Sequence, residues 1–233
     1  MNSIRRQFYE GLLSKKEYRE KAISCTVSIS KNSGFDYIKT LGSGTYGTVI
    51  NVLHPVHGNL AVKIVQGDYV SDSEIQVWPE LNQENILPLI NVERVTLTYT
   101  MVFFMPTYLT TLSHVVSHLK FSAFEQEFKK SISCLQGIAK KVRYLHRQKL
   151  CYLDIKLSNI LVNDIDKPVL SDIGSLMYTD TGTDNYVSPF IFRPPEAHIK
   201  DGNRVVVDGF KYDLYTQGLL AIELFTKRSV NLL

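Results

Sequence analysis

Between residues 35 and 65, β-branched and aromatic positions alternate with polar ones in the runs FDYIKTLGS, GTVINV and LAVKIV. Gly44 and Gly47 bracket the first junction, and His54-Pro55 with Gly58-Asn59 make the second. A period of two with glycine and proline punctuation predicts an antiparallel meander. Two further strands are predicted over 86–92 and 95–104. A short helix is predicted over 68–81, with Ser71 or Asp72 as cap, Glu74, Val77 and Trp78 inside it and Pro79 in its last turn. The period then changes. Phe128, Ile132, Leu135, Ile138, Val142 and Leu145 recur at spacings of three and four, which predicts a long helix over 123–146. A small helix over 107–119 precedes it, and a second buried helix over 210–227 is apolar except at Asp213, Gln217 and Glu223. Between the two long helices lie short strands and turns over 151–174 and a polar stretch over 177–185 with the composition of a mobile loop. Residues 1–24 suit an exposed helix with Ile4, Phe8, Leu12 and Leu13 on one face.

Strands first and helices afterwards predict an α+β chain of two lobes and a cleft, with a hinge near Phe104-Met105-Pro106. The length of 233 residues is enough for a sizeable core. A formal charge of +3 is too small to argue for nucleic acid, and the basic residues concentrate near the N-terminus at Arg5, Arg6, Lys15, Lys16, Arg19 and Lys21. Cys25, Cys134 and Cys151 fit no disulfide or metal spacing, which points to reduced thiols in an intracellular protein. No apolar run approaches a membrane span, and the start MNSIRRQF lacks the apolar core of a signal peptide.

The chemistry gathers in two places. Gly42-Ser43-Gly44-Thr45-Tyr46-Gly47 has the spacing G-x-G-x-x-G, but a β-branched run follows it instead of a helix, so it joins two strands. Glycines there let backbone N–H groups approach phosphate oxygens. Lys63 lies in mid-strand among apolar residues and needs an anion, for which Glu74 is the nearest sensible partner. Downstream, Asp154, Lys156 and Asn159 end one polar segment, and Asp172 follows the next apolar run just before Ile173-Gly174.

In this order the segments resemble the eukaryotic-type protein kinase superfamily. A-V-K-I at 61–64 is similar to the family's V-A-I-K strand, and Glu74 to the glutamate that pairs its lysine. Tyr152-Leu153-Asp154-Ile155-Lys156-Leu157-Ser158-Asn159 is similar to H-R-D-x-K-x-x-N, Asp172-Ile173-Gly174 to D-F-G, and Pro194-Pro195-Glu196 to A-P-E. Asp213 and Gly218 match the aspartate and glycine of the buried C-lobe helix. The resemblance implies a bilobal fold: an antiparallel N-lobe over 35–103 with a short αC-like helix, a mainly helical, reduced C-lobe over 104–233, and a basic helical extension over 1–34. It implies ATP and Mg2+ as cofactors. Gly42, Ser43, Gly44, Thr45, Tyr46, Gly47, Val49, Ala61, Lys63, Phe103, Met105 and Leu161 would line the nucleotide, and Asn159 and Asp172 would hold metal. Asp154 would face the substrate hydroxyl, Lys156 the γ-phosphate, and Glu74 would hold Lys63. Lys156 resembles the serine/threonine branch, so the partner is a protein substrate.

The departures carry expectations of their own. Tyr152 and Leu153 replace histidine and arginine, so activity should not wait for a phosphorylated activation loop. Pro189 falls where many kinases carry a threonine that fixes Asp154 and Lys156. The Lys63-to-Glu74 spacing is short, as though the αC-like helix had lost about two turns. The chain stops soon after the second buried helix, leaving Leu219, Leu220, Ile222 and Phe225 to be covered by the N-terminal segment or a partner. A trimmed kinase of this kind is similar to those of large DNA viruses; the expected location is intracellular, cytoplasmic or nuclear, in a host cell if the chain is viral. The alternative is a pseudokinase or decoy that binds another kinase or its substrate, and a fragment of a longer product is a third reading. Thr179, Thr181, Tyr186 and Ser188 read first as hydroxyls of a solvated loop, with autophosphorylation sites as the alternative.

Overall fold

The computed structural model describes residues 14, 16, 17, 20, 21, 24, 25, 27, 28, 35–44, 47–81, 84, 86–96, 98–118, 124–165, 167–178, 188–198 and 206–228. The described positions from 16 to 28 are helical, whereas the stripe of Ile4, Phe8, Leu12 and Leu13 lies outside the described residues, as do Thr179, Thr181 and Tyr186. The chain divides into two compact units. Met1–Glu80 with Pro88–Thr107 forms the first, and Leu81–Leu87 with Tyr108–Leu233 the second.

The first unit is built on a five-stranded antiparallel sheet of β1 (Asp36–Ser43), β2 (Gly47–His54), β3 (Gly58–Gln66), β4 (Asn91–Val95) and β5 (Thr100–Pro106), in the order β1-β2-β3-β5-β4. The register separates two faces. Ile50, Val52, Leu60, Val62, Ile64, Val102 and Phe104 form one buried cluster, each large side chain contributing roughly 1.5–3 kcal/mol on burial. The alternate positions pair as Val49 with Lys63, Ala61 with Met105 and Lys63 with Phe103, and these share the opposite face. Gly47 starts β2 because a Cβ there would stand 2.5 Å from the Ile64 carbonyl oxygen.

Two expectations are corrected here. The strand predicted over 86–92 is only a bridge of Ile86 to Leu170, with regular pairing beginning at Asn91. The helix predicted over 68–81 is broken into a 3₁₀ turn at Gly67–Tyr69, a π turn at Ser73–Val77 and a 3₁₀ turn at Trp78–Glu80. Trp78 N–H bonds the Ser73 carbonyl five residues back, and Pro79 has no N–H to continue the ladder.

The second unit holds β6 (Thr110–Thr111), α1 (Leu112–His118), α2 (Phe124–Arg147), β7 (Leu150–Cys151), β8 (Ile160–Val162), β9 (Val169–Leu170), β10 (Met177–Tyr178) and α3 (Gly209–Thr226). β6, β8 and β9 form one small sheet, and β7 pairs with β10. In α2 the buried stripe is Ser131, Cys134, Ile138, Val142 and Leu145, whereas Phe128 and Ile132, both expected inside, are exposed. Asp208 caps α3 by accepting the N–H groups of Phe210 and Lys211 at 2.9 and 3.2 Å. Gly209 admits the close approach of α3 to β7, since a Cβ would meet Cys151 Sγ at 2.4 Å. α3 is buried on one side only: Tyr212, Leu220 and Leu224 are inside, Leu219 is half-buried, and Leu214, Ile222 and Phe225 are exposed.

Candidate active site

On β3, Lys63 Nζ stands 2.7 Å from Glu74 Oε1, with Glu74 3% exposed. The break of the helix into a π turn does not remove this pair. Glu74 is held from a second side by Ser71, whose N–H donates to Oε2 at 3.1 Å while its Oγ accepts the Glu74 N–H at 3.2 Å. That is a capping box, readable from S-x-x-E. Trp78 stacks on Phe103 with ring centroids 5.5 Å apart, so the turn also rests on the strand residue opposite Lys63. Val49, Ala61, Lys63, Phe103 and Met105 therefore stand on one face of this sheet. Gly42 and Gly44 have open space where a Cβ would stand, and Gly44 N–H closes the turn onto the Gly47 carbonyl at 2.9 Å. Ser43 Oγ lies 2.9 Å from Thr48 Oγ1, while Thr45 and Tyr46 lie outside the described residues.

In the second unit the turn after β7 gathers Asp154, Lys156 and Asn159. Lys156 Nζ and Asn159 Nδ2 each donate to Asp154 Oδ2 at 2.7 Å, and Asn159 Nδ2 also reaches the Asp154 carbonyl at 3.0 Å. Asp154 Oδ1 is buried and has no hydrogen-bond partner among the described residues. Pro189, at the position where a threonine was anticipated, is exposed and has no side-chain donor to offer it. Burial pushes the Asp154 carboxyl above the ordinary carboxylate range; the bond from Lys156 opposes this and the charge of Asp172 adds to it. Asp172 is half-buried with a left-handed φ of 54°, and its carbonyl accepts from Ser175 Oγ at 2.9 Å. Leu161 is half-buried on β8.

Two residues holding this turn carried little signal in the sequence. Asp213, fully buried on α3, accepts the N–H groups of Tyr152 and Leu153 at 2.8 and 2.7 Å, and His146 Nε2 lies 2.9 Å from its Oδ2. The sequence marked Asp213 by resemblance and as one of three polar positions in an apolar helix, and His146 only as the end of a helix. Tyr152 is fully buried, and its hydroxyl donates to the Ser171 carbonyl, next to Asp172. Ser171 in turn bonds the Asn159 carbonyl through N–H and Oγ, each at 2.9 Å. Burial pushes the Tyr152 phenol well above its usual value, with Asp172, Asp154 and Asp213 adding to the shift, so it remains a neutral donor. Cys151 is buried too, its thiol pushed up to about 12 mainly by burial, which leaves it no thiolate chemistry. Ser188 is also buried, against the Tyr212 hydroxyl, and is not the solvated hydroxyl anticipated.

A family profile described as protein kinase domain matches residues 35–231. The chain belongs to the protein kinase family. It is 26% identical over 221 residues to the G-type lectin S-receptor-like serine/threonine-protein kinase SD1-1 of Arabidopsis thaliana, covering 88% of this chain and 26% of that protein. It is 25% identical over 202 residues to the probable serine/threonine-protein kinase MRK1 homolog of Encephalitozoon cuniculi (83% and 60%), and 28% over 204 residues to the CTD kinase subunit alpha of Schizosaccharomyces pombe (82% and 33%). This kinase chain thus spans between about a quarter and three fifths of the length of these relatives. No helix among the described residues is long and apolar enough to cross a membrane.

Proposed function

We propose that this kinase domain transfers the γ-phosphate of ATP to serine or threonine hydroxyls of protein substrates. The observation that carries the reading is Asp154: a carboxylate 3% exposed, with one oxygen held by Lys156 and Asn159 and the other buried and unpartnered. Burying that second oxygen without a partner costs stability, whereas a raised carboxyl suits the removal of a proton from a hydroxyl.

The residues present fit ATP and Mg2+. The open space at Gly42 and Gly44 leaves phosphate oxygens room to approach the backbone of the turn, and Lys63, steadied by Glu74, supplies the cation for the α and β phosphates. Asn159 spends its Nδ2 on Asp154, which leaves its amide oxygen, with the Asp172 carboxylate, as hard oxygen donors for magnesium. Magnesium takes one or two protein oxygen donors and fills its other positions from phosphate and water, so this small donor set suits it. Bound magnesium supplies neutralisation of phosphate charge. Asp154 orients the acceptor hydroxyl and takes its proton, and Lys156 stands ready for the charge that develops on the transferred group.

The test is incorporation of labelled γ-phosphate by the purified chain with Mg-ATP and a serine- and threonine-containing basic protein. Transfer by wild type, lost in Asp154→Ala and Asp172→Ala, is the expected result; equal transfer by all three would sink the proposal. The reduction of the αC-like helix to one π turn favours a competing reading as a kinase-binding decoy. That reading predicts no transfer, no thermal shift with Mg-ATP, and recovery of a second kinase with the chain.

A further inference from the structure

A pocket of about 200 Å³ in the second unit reaches the Asp154 cluster through Lys156, and its lining includes Ser158 of the same turn, Ser113 of α1, and Glu223, Lys227 and Arg228 at the end of α3. Three of these side chains are cationic and one is a carboxylate. They are not equally placed. Lys156 is committed to Asp154 at 2.7 Å, and Glu223 is 3% exposed. Arg228 is exposed just past the last turn of α3, its backbone tethered by an N–H bond to Thr226 Oγ1 at 3.3 Å. Ser113 and Ser158 are exposed as well, and their hydroxyls add donors. The exposed polar side chains named here are thus a guanidinium and hydroxyl donors, whereas the carboxylate is buried, a setting that attracts an oxyanion and repels a cation.

We propose that this pocket receives an acidic side chain of the protein substrate, Asp or Glu, close to the accepting hydroxyl, with Arg228 as its principal partner. The inference rests on the phosphoryl-transfer reading above and adds the substrate class to it. Lys156 links the two, because the same side chain lines the pocket and bonds the proton-accepting carboxylate, so a residue seated here lies near the acceptor in the peptide.

The experiment uses alanine-rich peptides with a single serine, in which Asp or Arg is walked through the flanking positions, and reads the ratio of kcat/KM to that of the all-alanine peptide. Wild type should favour Asp at one or two positions by about fivefold, the size of a partly exposed ion pair. Arg228→Ala should bring the ratio to near one, and Arg228→Glu should invert it towards Arg. Arg228 is exposed, so neither variant threatens the fold. A wild-type preference for Arg, a flat response, or an Asp preference that survives Arg228→Glu would overturn the inference and leave Lys227 and Arg228 as cations serving only the α3 C-terminus. If no peptide is phosphorylated, the transfer reading fails separately. The same peptides, labelled and with the serine replaced by alanine, then decide the pocket by fluorescence polarisation: tighter binding of Asp peptides, lost in Arg228→Glu, supports it, and equal binding overturns it.

Discussion

Asp213 and Asp154 are both buried carboxylates of the second unit, and they are treated in opposite ways. Asp213 is fully buried and fully used: both oxygens accept main-chain N–H groups, and His146 approaches one of them. Asp154 is nearly as buried, yet one oxygen is left with no partner among the described residues and its carboxyl is pushed up by burial. A satisfied carboxylate fixes the chain around it, whereas an under-satisfied one keeps proton affinity for use. Partner count, more than burial, separates the structural aspartate from the one proposed to be reactive.

The comparison can be broken most directly at Asp213. Asp213→Ala leaves the Tyr152 and Leu153 N–H groups buried without acceptors and should lower the stability of the second unit by about 3 kcal/mol or more, read from the midpoint of urea unfolding, with transfer lost as a consequence. Asp154→Ala should do the reverse: transfer falls by roughly a hundred- to ten-thousandfold, while unfolding free energy changes by no more than about 1 kcal/mol. Equal destabilisation by the two substitutions would refute the distinction.

Lys63→Met asks the same question of the first unit. It strips the ion pair from Glu74, which is 3% exposed, so both stability and transfer should fall, the latter by about a hundredfold or more. The raised Asp154 carboxyl gives a pH signature. In its proposed role as base it must be ionised, so the acid limb of kcat/KM should lie above the ordinary carboxylate range near pH 4. Because its native proton affinity exceeds that of the unfolded chain, its contribution to stability falls as pH rises through the window between the two values. That slope should vanish in Asp154→Ala, and full activity down to pH 4 would contradict the shift. The smallest effect concerns Leu153, whose N–H is held by Asp213 and whose side chain is fully buried where the H-R-D pattern has an arginine. Phosphatase treatment should change the transfer rate by less than about twofold, since no cation at that position waits for a loop phosphate.

The meander, the long helix α2 and the order of strands before helices were legible because each rests on a local period. The breaks were not. The 68–81 segment has the composition of a helix, and what divides it is Pro79 meeting a ladder that has already slipped to a π register at Trp78. In α2 the predicted stripe is buried at Ile138, Val142 and Leu145, but in the first turns the buried positions are Ser131 and Cys134, and Phe128 and Ile132 lie outside.

By itself the sequence determined the strand alternation, the glycine turn, and the identity and order of Lys63, Glu74, Asp154, Lys156, Asn159 and Asp172. Short-range periodicity and chemistry demand particular residue types at particular spacings. Only the tertiary structure decided how these groups are held: that Ser71 braces Glu74, that Tyr152 ties its turn to Ser171, and that Asp213 is saturated while Asp154 is not. The bonds of Tyr152 and Leu153 to Asp213 join residues about sixty positions apart, and no local pattern records which buried oxygen such a contact will reach or leave unmet.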